Sequence, residues 1–216
     1  MATTPATRPG SKRSRHARTE PRADNGRFTR DSGGGAFEGT GALLAAGAAG
    51  LAVGLAANVA RKLAVQAPTM LAGEWDEALA AEHKLTLRVF DAIEATSERN
   101  TTKRATLLMT LKHMLAKHAM EEEDVIYPAL RDAGEVEAAD GLNKDHGYVK
   151  QYLYDLTQMA TDSPHWIAKV RAFRSDLETH IREEEQTLFP LLKGRLSAER
   201  NRELTGQMNK EGLKLA

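Results

Sequence analysis

The chain contains no cysteine. Disulfides, thiolate zinc sites and thiol nucleophiles are therefore excluded, and any bound metal must be held by His, Asp and Glu. That donor set suits iron, manganese or zinc better than copper(I) or an iron–sulfur cluster. Net charge is absent too: 30 basic residues balance 30 acidic ones, which removes the electrostatic argument for a specific nucleic-acid partner. Aromatic residues make up only 5% of the sequence, so a core must be built mainly from aliphatic side chains. Long uncharged runs are scarce, and residues 41–60 form the one stretch that could span a bilayer. Against these shortages stand seven histidines.

Composition divides the chain into three parts. Residues 1–36 read as a disordered basic tail, rich in Arg, Ser, Thr, Pro and Gly, with a Gly33-Gly34-Gly35 run. Such a stretch cannot bury enough surface to offset its chain entropy. Within it, residues 1–32 carry eight Arg or Lys against Glu20, Asp24 and Asp31, a net +5 that leaves the rest of the chain near −5. So modest a charge fits a solubilising tail better than a binding one. Residues 37–66 read as an Ala/Gly-rich apolar helix. Gly50 and Gly54 give one GxxxG spacing, and Arg61 and Lys62 close the run. Nine Ala, four Gly and Asn58 between residues 41 and 60 supply little drive for insertion. Two readings therefore stand for residues 41–60, membrane association or a small-residue helix packed on protein. The expected location is cytoplasmic, at a membrane if that run enters one.

Residues 67–216 show helical periodicity throughout. Trp75, Leu79, His83, Leu87 and Phe90 share one stripe, and Leu107, Leu111, Met114, His118, Glu122 and Val125 a second. Leu142, His146, Val149, Leu153 and Leu156 form a third. Val170, Phe173, Leu177, His180, Glu184 and Leu188 form the fourth. Breaks fall near Glu98–Thr102, Asp132–Glu135 and Thr161–Pro164, and Ser163-Pro164 reads as a capped helix start. Four such helices with short connections predict an all-α fold, an antiparallel up-down-up-down four-helix bundle. A shorter helix, about Ala198 to Lys210, is expected against it.

Two segments repeat: His118-AMEEEDVIYPAL and His180-IREEEQTLFPLL, 62 residues apart. Glu82-His83 and Asp145-His146 repeat in the same way, 63 apart. The bundle thus reads as two related hairpins, each bringing a lone His and a His-x3-Glu pair. Residues i and i+4 of a helix share a face, so His118 and Glu122 point one way, as do His180 and Glu184. These four, with His83 and His146, continue the apolar stripes inward. Buried carboxylates facing one another are costly unless paired or metal-bound, and a pair of cations relieves both the burial and the repulsion.

The order His, His-x3-Glu, His, His-x3-Glu resembles the hemerythrin-like HHE cation-binding domain over about Gly73 to Leu196. The resemblance implies two iron ions with an oxo or hydroxo bridge. Glu122 and Glu184 would span both irons, His83 and His118 would serve one, and His146 and His180 the other. Manganese or zinc would also fit these donors. Two positions depart from oxygen-carrying hemerythrins: Lys150 stands where they have a second His on the third helix, and His180-x3-Glu184 replaces a His-x4-Asp. One iron loses a nitrogen ligand, a layout more similar to sensing and stress-linked members. The function implied is binding or sensing of O2, NO or a related oxidant, or of iron or redox state. The alternatives are a di-iron oxidoreductase reducing O2, peroxide or NO, and a membrane-tethered structural or stress protein with a stabilising metal. The partner expected is a small diatomic or peroxide ligand.

Other polar residues carry plainer readings. His113, about 140° around the helix from His118, is expected to face outward, as are His16 and His165. Glu121 and Glu123 read as a solvated run or as supports behind the ligands, and Glu82 and Asp145 as either supports or surface charge. Tyr127-Pro128 and Phe189-Pro190 read as a packed aromatic followed by a kink. Tyr148, Tyr152 and Tyr154 are expected to pack rather than reach a metal. Lys150 either extends into solvent or stands over the site.

Overall fold

The protein is described by a computed structural model over residues 56–216. The expectations for residues 1–36 and for most of 37–66 lie outside them. Among the described residues there is no strand, and no helix is long and apolar enough to cross a membrane. Helix α1 covers 56–71, five residues past the expected end of the Ala/Gly-rich segment. Then follow α2 (Trp75–Glu94), α3 (Thr101–Glu121), α4 (Tyr127–Asp132), α5 (Val136–Gln158), α6 (Trp166–Glu183), α7 (Phe189–Arg195) and α8 (Ala198–Leu215).

Helices α2, α3, α5 and α6 form the four-helix bundle, α2 packing on α3 and α6, and α5 on α3 and α6. The connections come where the sequence breaks. Gly134 adopts φ 93°, the left-handed conformation that favours glycine, in the turn after α4. Before α6 the chain differs from the simple capped start. Ser163 Oγ accepts from the His165 backbone N–H at 3.3 Å within a turn, and the helix itself begins at Trp166. Helix α8 extends past the expected Lys210 to Leu215. Leu204 and Met208 of α8 are buried with Trp75, whose indole N–H donates to Asn201 Oδ1 at 2.9 Å.

Two apolar clusters make up the core. One gathers Trp75, Leu79, Ile126, Leu142, Phe189 and Leu192. The other gathers Phe90, Leu111, Leu156, Trp166, Phe173 and Leu177. Each fully buried large side chain contributes about 1.5–3 kcal/mol. The buried histidines and glutamates of the repeated motifs lie on the same helices between the residues of these two clusters.

Two wide π-turns join the short helices to the long ones: Glu122–Ile126 links α3 to α4, and Glu184–Leu188 links α6 to α7. Each starts at the glutamate of a His-x3-Glu pair and stops before an aromatic-proline pair. Pro128 and Pro190 have no N–H to give, and a proline ring clashes with the carbonyl four residues earlier. Widening the turn makes room. Tyr127 N–H donates to Glu122 O and Phe189 N–H to Glu184 O, each five residues back rather than four. Such single π-turns recur at functional sites.

Candidate metal centre

All six predicted donors converge. His83, His118, Glu122 and Glu184 place ligand atoms within 4.8 Å of one another, and so do Glu122, His146, His180 and Glu184. Both carboxylates belong to both sets. Glu122 Oε2 lies 3.2 Å from His118 Nε2 and 3.3 Å from His146 Nε2. Glu184 Oε2 lies 3.4 Å from His83 Nε2 and 3.4 Å from His180 Nε2. Glu122 and Glu184 are 0% exposed. His113 and His165 are exposed, as their helical phase and position required.

Each imidazole turns Nε2 inward and Nδ1 toward a carboxylate. His83 Nδ1 meets Glu185 at 2.8 Å, His118 Nδ1 meets Glu82 at 3.1 Å, and His146 Nδ1 meets Glu123 at 2.9 Å. His180 Nδ1 stands 3.5 Å from Asp145, too far for a direct bond. A carboxylate behind a ring fixes its tautomer and raises its basicity as a ligand. Glu82 thus supports the site. The EEE runs divide by position: the middle residue points inward, and the third crosses to a histidine of the other hairpin.

The first residue of each run breaks the symmetry. Glu183 is exposed, whereas Glu121 is buried and bound to Lys117 Nζ at 2.9 and 3.0 Å. Lys117 also holds Glu82, and Gln66 of α1 donates to Glu121 Oε1 at 2.9 Å. Thr69, also on α1, donates to Glu82. Burial, with the nearby Glu82 charge, pushes Glu121 up to about 7 against the pull of Lys117. Of the two expectations for Glu121, the solvated one therefore fails: it lies buried in a polar cluster closed by α1, behind the Glu82 that holds His118.

Tyr127 was legible only as packing, yet it reaches the centre. Its hydroxyl donates to Glu184 Oε1 at 2.7 Å and lies 3.2 Å from Glu122 Oε2 and 3.0 Å from His146 Nε2. On a regular α-helix Tyr127 would sit about 140° from Glu122; the π-turn brings it back to the same face. Burial and the charges of Glu122 and Glu184 raise its phenol well above the usual range. The equivalent Phe189 stacks on His83 with ring centroids 6.3 Å apart. Tyr148 and Tyr154 are exposed, and Tyr152 stacks on Phe173. Lys150 resolves to the rim: Nζ binds Glu123 at 2.8 Å while the side chain stays 63% exposed.

The electrostatics suit a cation. If each Nδ1–H donates to a carboxylate, His83 Nε2 and His118 Nε2 both present lone pairs only 2.9 Å apart. Only a proton or a metal between them removes that repulsion. Burial pushes Glu122 up, but His118 and His146 outweigh it and hold the carboxyl well below its usual range. Burial lowers His146, yet Glu122 and Glu123 bring it up to about 9. Glu122 Oε1, Glu184 Oε2 and both ring nitrogens of His180 are buried without a hydrogen-bond partner. Orphaned donors of this kind are costly in a core and fit metal coordination.

A four-helix bundle with paired His and Glu donors on facing helices defines a metal-binding bundle protein. More narrowly, the chain belongs to the hemerythrin HHE cation-binding domain family, whose pattern matches residues 76–192. It is 34% identical over 88 residues to an uncharacterized hemerythrin-like protein of Schizosaccharomyces pombe, covering 39% of this chain and 43% of that one. It is 31% identical over 86 residues to a DNA nickase of Nostoc sp., covering 39% of this chain and 24% of that one. The matched stretch therefore spans less than half the length of these curated relatives. A crystal structure of an HHE cation-binding domain-containing protein from Mycobacterium kansasii superposes with TM-score 0.59 at 24% identity, over 66% of this chain and 87% of that one. At that identity the likeness speaks to the fold.

Proposed function

We propose that the chain is a non-haem di-iron protein that binds or senses O2, NO or a related oxidant. His83 and His118 would hold one iron, His146 and His180 the other, with Glu122 and Glu184 shared. The observation that carries this reading is the sharing itself: one oxygen of each buried glutamate faces a histidine from both sets. An iron pair would supply reversible ferrous–ferric chemistry and positions for a small ligand. The same donors accept manganese or zinc.

The chain's own residues would set the conditions. Glu185, Glu82 and Glu123 fix three rings with Nε2 inward. The Tyr127 hydroxyl stays protonated and donates to Glu184, restraining that carboxylate. The two apolar clusters keep bulk water from the donors, which strengthens every charge interaction among them. Lys150, where oxygen-carrying relatives have a histidine, is engaged with Glu123 and supplies no donor.

Anaerobic purification with metal counting, then optical spectra on adding O2 and NO, tests the reading. Two irons per chain with ligand-dependent, reversible bands are expected. A folded chain that takes up no stoichiometric metal ends it. Sustained consumption of reductant would instead support the oxidoreductase reading.

A further inference from the structure

One side of the site is closed by Tyr127 and Phe189, and the other opens into a cleft of about 260 Å³. Its floor is the four imidazoles of His83, His118, His146 and His180. Its walls are aliphatic, from Leu115 and Ala119 on α3, Val149 and Leu153 on α5, and Leu177 and Ile181 on α6. It reaches solvent beside Ala116, Asp124 and Lys150, all exposed. From His146 to Leu153 it follows two turns of α5, about 10 Å.

A diatomic ligand has no use for that space. Room for one water corresponds to about 10–15 Å³, so the cleft exceeds a diatomic's need by roughly an order of magnitude. The charged residues of its lining are Glu123, Asp124 and Lys150. Lys150 and Glu123 pair 2.8 Å apart, and Asp124 and Lys150 are exposed at the mouth. A neutral, apolar body with a small polar head matches both ends, since entry then costs no buried charge.

The geometry points to an organic hydroperoxide as a ligand of this cleft, its aryl or branched alkyl body against Leu115, Val149, Leu153 and Ile181 and its –OOH head on the imidazole floor. This rests on the di-metal reading for what the head meets, but on the aliphatic walls for the body. Cumene hydroperoxide is a suitable probe, and zinc a suitable metal, because zinc has no redox chemistry and leaves the O–O bond intact.

The full chain is loaded with zinc, its metal counted, and cumene hydroperoxide titrated while the methyl resonances of Leu115, Leu153, Leu177 and Ile181 are followed by NMR. Saturable shifts confined to these methyls are expected. Leu153→Trp should weaken binding by about tenfold or more, the scale of overpacking a filled site. Val149→Phe, a smaller intrusion, should weaken it in the same direction and covers the case in which Leu153→Trp does not fold. Fewer than two zinc ions per chain overturns the di-metal reading and this inference with it. Two zinc ions with no methyl shifts, or shifts that survive both substitutions, overturn the cleft assignment alone.

Discussion

Sharing of Glu122 and Glu184 between two donor sets makes the six residues unequal under substitution. Each histidine serves one set, while each glutamate serves both. His83→Ala should leave the His146–His180 half intact and reduce metal content toward one per chain. Glu122→Ala should release both ions. His113→Ala, on the exposed face five residues from His118, should leave metal content unchanged. Elemental analysis of the purified variants decides this; equal losses for His83→Ala and Glu122→Ala would mean that the glutamate is not shared. Tyr127 poses a separate question at the same scale. Tyr127→Phe reproduces what the second hairpin has at Phe189, and it strips Glu184 Oε1 of its donor at 2.7 Å. Leaving a buried acceptor without a partner costs about 1–3 kcal/mol. That loss should appear in urea denaturation of the metal-free protein and shrink when metal is bound, because the carboxylate then has another partner.

Helix α1 lies outside the four-helix bundle but completes it. Gln66 and Thr69 reach the Lys117–Glu82–Glu121 cluster, and Glu82 in turn holds His118. A lysine buried between two carboxylates is destabilising to remove. Lys117→Met should cost about 3–5 kcal/mol by leaving buried charge uncompensated, and adding Glu121→Gln should recover part of it. Both are read from urea midpoints. Glu121 also sets a pH dependence. Its folded value of about 7 lies above the ordinary 4.5, so the fold favours the protonated form. Its contribution is full below about pH 4.5, declines as pH rises, and is gone above about pH 7. Glu121→Gln should remove that decline, so that the stability of wild type relative to the variant falls across this window. A difference that stays flat would show that Glu121 is ionised throughout. The helical pattern of the sequence does not expose this cluster. Periodicity sufficed for the bundle helices and for six inward donors, because each falls on a stripe already marked by Leu, Val and Phe. It did not suffice for Lys117, Glu121 or Gln66, whose burial depends on which helices cover α3 from outside. Nor did it reveal Tyr127, because helical phase computed at 100° per residue fails across a π-turn, although the proline after each aromatic was the visible trace of that turn.

For the molecule as a whole, the metal centre is a polar layer inserted between two apolar clusters, and the two contribute oppositely to stability. Without metal, two fully buried carboxylates and the inward Nε2 atoms of four imidazoles rely on protons and on Tyr127 for partners, and several of these buried atoms have none. Metal would bind these donors only when the chain is folded, since they come from four helices spread over residues 83 to 184. Binding restricted to the native state stabilises it by about 4 kcal/mol when free metal is a thousandfold above Kd. For a domain of this size that corresponds to a rise in Tm on the order of 10 °C. Calorimetry of chelator-treated and reloaded protein should show that rise, and it should grow with free metal concentration. Identical unfolding curves with and without metal would mean that the polar layer is satisfied by protons alone, and the donors would then need another reason to be buried together.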